Sequence, residues 1–126
     1  IYTLSREERD LDIYEFVTEL ELKYEVRLIT DNNVLFVSFS VKGENQNAVV
    51  NKGKAYRVFS TVIEIIKEKF ESDKSLDTIG YDPVASFPGD ERRERIYEIG
   101  IKKNFNVIHV ETKRSGKFVN KLIKIR

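Results

Sequence analysis

The chain has no cysteine, no methionine and a single histidine in 126 residues. Without cysteine there is no thiol nucleophile, no disulfide and no cysteine-ligated zinc, a composition that fits a reducing cytoplasm. The lone histidine, His109, has no cysteine partner and makes a poor metal-ligand set, so a structural role is expected of it and no metal is expected. No apolar run is long enough to span a bilayer, and no segment follows the charged, apolar, small-residue order of a signal peptide. With methionine missing, natural residues are expected upstream of Ile1. Repeats, low-complexity tracts and linkers are lacking too. Residues 1–126 therefore read as one domain, with residues 1–12 a peripheral polar segment. A chain of this length can bury a core without covalent help.

What is plentiful is charge, and it is unevenly placed. Residues 1–25 carry eight acids against three bases, whereas residues 113–126 carry six bases and no acid. Such polarity can draw an anionic partner to one end. The favoured reading is that the two ends lie together and neutralise. A nucleic-acid footprint at the basic C-terminal hairpin is the weaker alternative, because only Phe118 interleaves it as a stacking residue.

Hydrophobic periodicity gives the elements. Residues 4–12 are polar and read as a frayed turn or short helix. From Tyr14 to Leu28 the chain alternates, with Tyr14, Phe16, Tyr24, Val26 and Leu28 on one parity and Glu15, Glu25 and Arg27 on the other. That is a half-buried strand, broken once into two. Asp31-Asn32-Asn33 is a turn. The strand from Val34 to Val41 is apolar on both sides at its start and should be central. Ala55, Val58, Phe59, Val62, Ile65, Ile66, Lys69 and Phe70 recur at helical spacing over 54–70. Residues 76–81 read as a short strand ended by Pro83. Asp90 is a good N-cap for a helix over 91–104, with Ile96, Ile99 and Gly100 on its buried side. Two strands about Arg114-Ser115-Gly116 close the chain as a hairpin. The sum is an α/β domain: a mixed, mainly antiparallel sheet flanked by two main helices, in the order β-β-β-α-β-α-β-β, with a parallel crossover at the first long helix.

Gly53 and Ala55 open that first helix, between and beside Lys52 and Lys54. Small residues there let a phosphate approach the free N–H groups of the first turn, where the helix dipole also favours negative charge. From the glycine alone, plain loop geometry before a helix is the favoured reading. Ser38 and Ser40 have no histidine or glycine elbow beside them, which argues against a serine nucleophile. Arg92, Arg93 and Arg95 are able to grip an anion or simply to solvate a helix face. Tyr97, on the second helix, has a phenol able to donate a proton or to pack in the core.

The order of these elements and the turn Val50-Asn51-Lys52-Gly53-Lys54-Ala55 resemble the GNAT-type N-acyltransferase superfamily over roughly residues 24–126. In that family a central strand leads into a pyrophosphate-binding turn of the form Gln/Arg-x-x-Gly-x-Gly/Ala. Gly53 and Ala55 match it and Val50 departs from it. The resemblance implies that backbone amides around Lys52, Gly53, Lys54, Ala55 and Tyr56 hold the pyrophosphate of acetyl-coenzyme A. The family's next helix often carries Asn-x-x-Ala-x-x-Leu-Tyr, here Asp90, Arg93, Ile96 and Tyr97, and its Gly-Phe looks displaced by about a helical turn to Asn104-Phe105. By that resemblance Tyr97 protonates the departing thiolate. A general base is not visible on the central strand. Glu44 and Glu111 are the nearest carboxylates.

The helix sequences YRVFSTVIEIIKE and RRERIYE are also similar to a group of uncharacterised phage-encoded proteins, which implies an infected bacterial cytoplasm or a virion as the setting. Two functions follow. One is acyl-coenzyme A-dependent transfer of an acyl group to a small-molecule or protein amine. The other is a non-catalytic GNAT-like module that binds a host or virion protein. No membrane partner is expected.

Overall fold

In the computed structural model residues 2–18, 23–41, 55–81, 91–115 and 118–126 are described, with positions 41, 55, 56, 91–96, 115, 118 and 119 described by backbone alone. Among them lie strands β1 (Thr3–Glu8), β2 (Leu11–Val17), β3 (Lys23–Asp31) and β4 (Val34–Val41), helix α1 (Ala55–Ser72), strand β5 (Thr78–Tyr81), helix α2 (Glu91–Asn104), and strands β6 (His109–Ser115) and β7 (Phe118–Lys124). The strands form one sheet in the order β1-β2-β3-β4-β5-β7-β6, which puts β4 at its centre as its two apolar faces required. Every neighbouring pair is antiparallel except β4 and β5, which α1 connects as the parallel crossover.

The element order corrects the sequence reading at one place. The described order is β-β-β-β-α-β-α-β-β, one strand longer than expected, because residues 3–8 form β1 and not a frayed turn or helix. Every side chain of β1 is exposed, so burial gave it no period-two pattern to read. Its extended form comes from backbone pairing with β2, from Thr3↔Glu15 to Glu8↔Leu11. The alternating stretch after it is broken once, into β2 and β3, as the pattern predicted.

Two-residue loops join β1 to β2 and β3 to β4. Glu8 pairs with Leu11 across Arg9-Asp10, and Asp31 pairs with Val34 across Asn32-Asn33. Asn32 takes a φ of 54°, a left-handed conformation that asparagine tolerates because its short polar side chain bonds locally.

Both helices pack on one face of the sheet. That face carries Phe16 of β2, Tyr24, Val26 and Leu28 of β3, Leu35, Val37 and Phe39 of β4, Ile79 and Tyr81 of β5, and Ile123 of β7. Val58, Phe59, Val62, Ile65, Ile66 and Phe70 of α1 close over it, as the helical spacing predicted, and Lys69 reaches Asp12 of β2 at 2.8 Å at the edge of the stripe. Ile63, off that stripe, is buried too, because α1 presents it with Phe59 toward α2. Gly100 of α2 has no side chain at the crossing, and a Cβ there would collide with the Phe59 ring. This close approach is why a glycine stands in a helix interior, where it otherwise weakens the helix. Ile99, expected on the buried side, is 48% exposed, whereas Tyr97 and Ile101 are buried.

Arg126 locks the end of α1. Its guanidinium donates to the carbonyls of Leu76 (2.7 Å), Asp73 (3.0 Å) and Phe70 (3.1 Å) and lies 5.3 Å from the Phe70 ring centre. Carbonyls that a helix terminus leaves open are satisfied in this way by a side chain distant in sequence.

Candidate functional site

The parallel junction is where the sheet changes character. β4 and β5 pair only through Val34↔Thr78, Leu35↔Ile79 and Phe36↔Gly80. β4 then runs on to Val41, still paired to β3 along its other edge but with no partner on the β5 side among the described residues. The amino ends of the two strands are pinned. The carbonyl of Asn33 accepts from the N–H of Asp77 (3.0 Å) and of Thr78 (3.2 Å), and the Asp77 carboxylate accepts from the Asn33 amide (2.5 Å) and the Thr78 hydroxyl (2.6 Å). Those two side-chain donors, the Thr78 hydroxyl first, hold the Asp77 carboxyl below its ordinary value. The strands are thus fastened at their amino ends, and their carboxyl ends are the place where parallel strands of open α/β sheets hold ligands.

Four aromatic rings from four elements meet at the carboxyl end of β5. Tyr97 of α2 stacks on Tyr81 at the end of β5, with ring centres 4.4 Å apart and planes 7° from parallel. It meets Phe59 of α1 edge-on at 4.7 Å and Phe39 of β4 at 5.7 Å. Phe39 and Phe59 are 6.2 Å apart. Each such pair contributes about 1 kcal/mol beyond the area it buries. These rings add side-chain packing to the short backbone pairing at the junction. Tyr97 is 4% exposed, so its ring belongs to the core whatever its hydroxyl does. Of this group the sequence reading singled out Tyr97 alone. Tyr81 carried one usable signal, an aromatic at the carboxyl end of a strand just before the proline that ends it.

The first turn of α1 has no acidic residue to repel an anion at the amino end of the helix. Ala55 and Tyr56 are its first two residues by backbone, whereas Lys52, Gly53 and Lys54 lie outside the described residues. Because α1 follows β4 and supplies Phe59 one turn into the helix, its amino end and the aromatic group belong to the same end of the sheet. An extended ligand with an anionic group at one end and a reacting group at the other fits that layout.

Other candidates are not brought to this place. Glu111 is exposed on β6, at the far edge of the sheet and two strands from the junction, while Glu44 lies outside the described residues. Ser38 and Ser40 are exposed on the face opposite the helices. His109 is exposed at the start of β6 and is no part of the core. Arg92, Arg93 and Arg95 fall in the first turns of α2, described by backbone alone. Among the described residues no group of three or more His, Cys, Asp or Glu side chains is placed to hold a metal ion, and no helix is long and apolar enough to cross a membrane.

The charge polarity resolves differently from expectation. β1 and the β6–β7 hairpin sit at opposite edges of the sheet, so the acidic and basic ends do not meet. The early acids find nearer partners instead, Glu15 with Lys23 (3.3 Å), Glu25 with Arg27 (2.7 Å), Glu8 with Arg6, and Asp12 with Lys69.

Set against protein-family models, curated proteins and solved structures, the chain matches none.

Proposed function

We propose that the chain is a GNAT-type N-acyltransferase that takes an acyl group, acetyl in the simplest case, from its coenzyme A ester to an amine. The observation that carries this reading is the β4–β5 junction: two parallel strands paired over three residues among those described, with a tyrosine from the following helix packed on Tyr81 and Phe39 at its carboxyl end. The order of β4 and then α1 supports the reading, and the turn between them that carries Gly53 lies outside the described residues. The additional strand β1 lies outside the region that resembles the family.

When bound, acetyl-coenzyme A supplies an activated acyl thioester. The chain's own work is then threefold. Free N–H groups at the start of α1, with Lys52, Gly53 and Lys54 before them, hold the pyrophosphate. The edge of β4 beyond Phe36, without a strand beside it among the described residues, offers backbone donors and acceptors to the rest of the ligand. The Tyr97 hydroxyl holds a proton for the thiolate sulfur that leaves as the amine nitrogen forms the new amide bond. The amine's own proton leaves to solvent water.

A second reading has its own observation. Tyr97 is buried and stacked flat on Tyr81, as a ring that only fills a core would be. On that reading the domain is a non-catalytic scaffold, used in a phage setting to bind a host or virion protein.

Calorimetric titration with acetyl-coenzyme A and with free coenzyme A separates them. Micromolar binding of both supports the transferase, and no binding at millimolar ligand favours the scaffold. Gly53→Glu, which sets a carboxylate against the phosphates, should abolish binding while the fold persists. Tyr97→Phe should slow turnover and leave coenzyme affinity unchanged.

A further inference from the structure

A sheet that does not close has two edges, and this one treats them differently. At β1 the register with β2 shifts between Leu4 and Arg6, and Arg6 pairs with Glu8 along the strand. A bulge and paired charges are the usual protection of an edge against strand addition. At the other end β6 pairs with β7 without a shift, from His109↔Lys124 to Ser115↔Phe118. The described side chains of β6 are exposed, including Val110 at 40%, and Ile108 just before it is 59% exposed. β6 contains no proline, and its outward N–H and C=O groups have no strand beside them among the described residues.

The sequence of β6, HVETKRS, is self-complementary. Two copies related by a two-fold axis perpendicular to the sheet pair antiparallel, and residues directly opposite then share a face. With the axis at Thr112, Glu111 of each copy lies opposite Lys113 of the other, Val110 opposite Arg114, and His109 opposite Ser115. The interface then holds two opposite-charge pairs on one face. On the other face, two valines lie against arginine stems around a central pair of threonines. Moving the axis by one residue either way sets Glu111 against Glu111 or Lys113 against Lys113, and like charges directly opposite are destabilising. One register is favoured and its neighbours are penalised.

We propose that β6 is a homodimer interface, through which a second copy of this chain continues the sheet edge to edge with its two-fold axis at Thr112. The proposal is independent of the function proposed above. It needs only the exposed regular edge and the charge pattern.

Sedimentation equilibrium on the purified chain, from micromolar to millimolar, tests it. A reversible dimer is expected. Lys113→Glu turns both Glu–Lys pairs into acid facing acid and should weaken association roughly tenfold or more, with Glu111→Lys acting alike. The double variant E111K/K113E restores opposite charges across the axis and should recover association to within about twofold of the parent chain. These positions are exposed, so circular dichroism should show the fold unchanged. Because the chain has no cysteine, Thr112→Cys provides a second test: mild oxidation should link two copies, whereas Val110→Cys, which faces Arg114, should not link. A monomer at every concentration would overturn the proposal. So would a dimer indifferent to Lys113→Glu, or a double variant that fails to recover.

Discussion

The two halves of the sheet are built on different principles. From β1 to β4 each strand pairs with the next in sequence, and the registers run over seven residue pairs between β2 and β3 and eight between β3 and β4. Beyond β4 the sheet continues through one short parallel step of three pairs, reached only after an eighteen-residue helix. Backbone hydrogen bonds hold the first half, and packed rings with a polar clasp hold the join to the second. The proposed site thus lies where the ladder among the described residues is shortest.

If rings replace ladder at the junction, Tyr97→Ala should be the most damaging single change. It removes one ring from a buried group of four and should cost about 3–5 kcal/mol, read by urea denaturation. A loss below about 1 kcal/mol would mean that backbone pairing alone holds the halves together. Ile101→Ala, one turn further along α2 and also buried, should follow at about 2–4 kcal/mol.

The first half offers a milder contrast through Asp12 and Lys69. The hydrogen bond to Asp12 raises the Lys69 pKa and outweighs the opposing effect of burial. The folded value lies above the unfolded one, so this contribution is complete below the ordinary lysine value of 10.5 and is lost as pH climbs through the raised value. Asp12→Asn should therefore lower stability by up to about 1 kcal/mol at neutral pH and flatten the alkaline limb of a melting-temperature profile.

The smallest effect belongs to the clasp. Asp77 is held low by Thr78 and Asn33, so its contribution is present above 3.8 and is lost as pH falls through the lower folded value. Asn33→Ala should move the Asp77 titration upward in a carboxyl-detected NMR experiment and leave Asp73, which Ser75 holds low, where it was. An unmoved Asp77 would mean that the amide plays no part in fastening the junction.

Much of this was legible in the chain because burial and periodicity coincided. The double apolar character of Val34–Val41 announced a central strand, and the spacing from Val58 to Phe70 announced α1. β1 was not legible, since an exposed edge strand has no apolar face to advertise it. At the site, Tyr97 stood out through the family resemblance, but its partners Phe39, Phe59 and Tyr81 come from three other elements and meet only through the crossover. The fate of the charged ends was hidden for a related reason. Composition shows that acids and bases are separated along the chain, and only strand order shows that they stay separated in space.

Gly100 sets the clearance between α1 and α2, because the Phe59 ring lies where its side chain would go. Any larger residue at that position would act as a shim, lifting α2 and, one turn away, Tyr97 with it. The height of the tyrosine over Tyr81 is therefore adjustable from the helix crossing. For a designer or for natural variation, residue 100 is a tuning screw: it can retune the site while every side chain that forms the site stays the same.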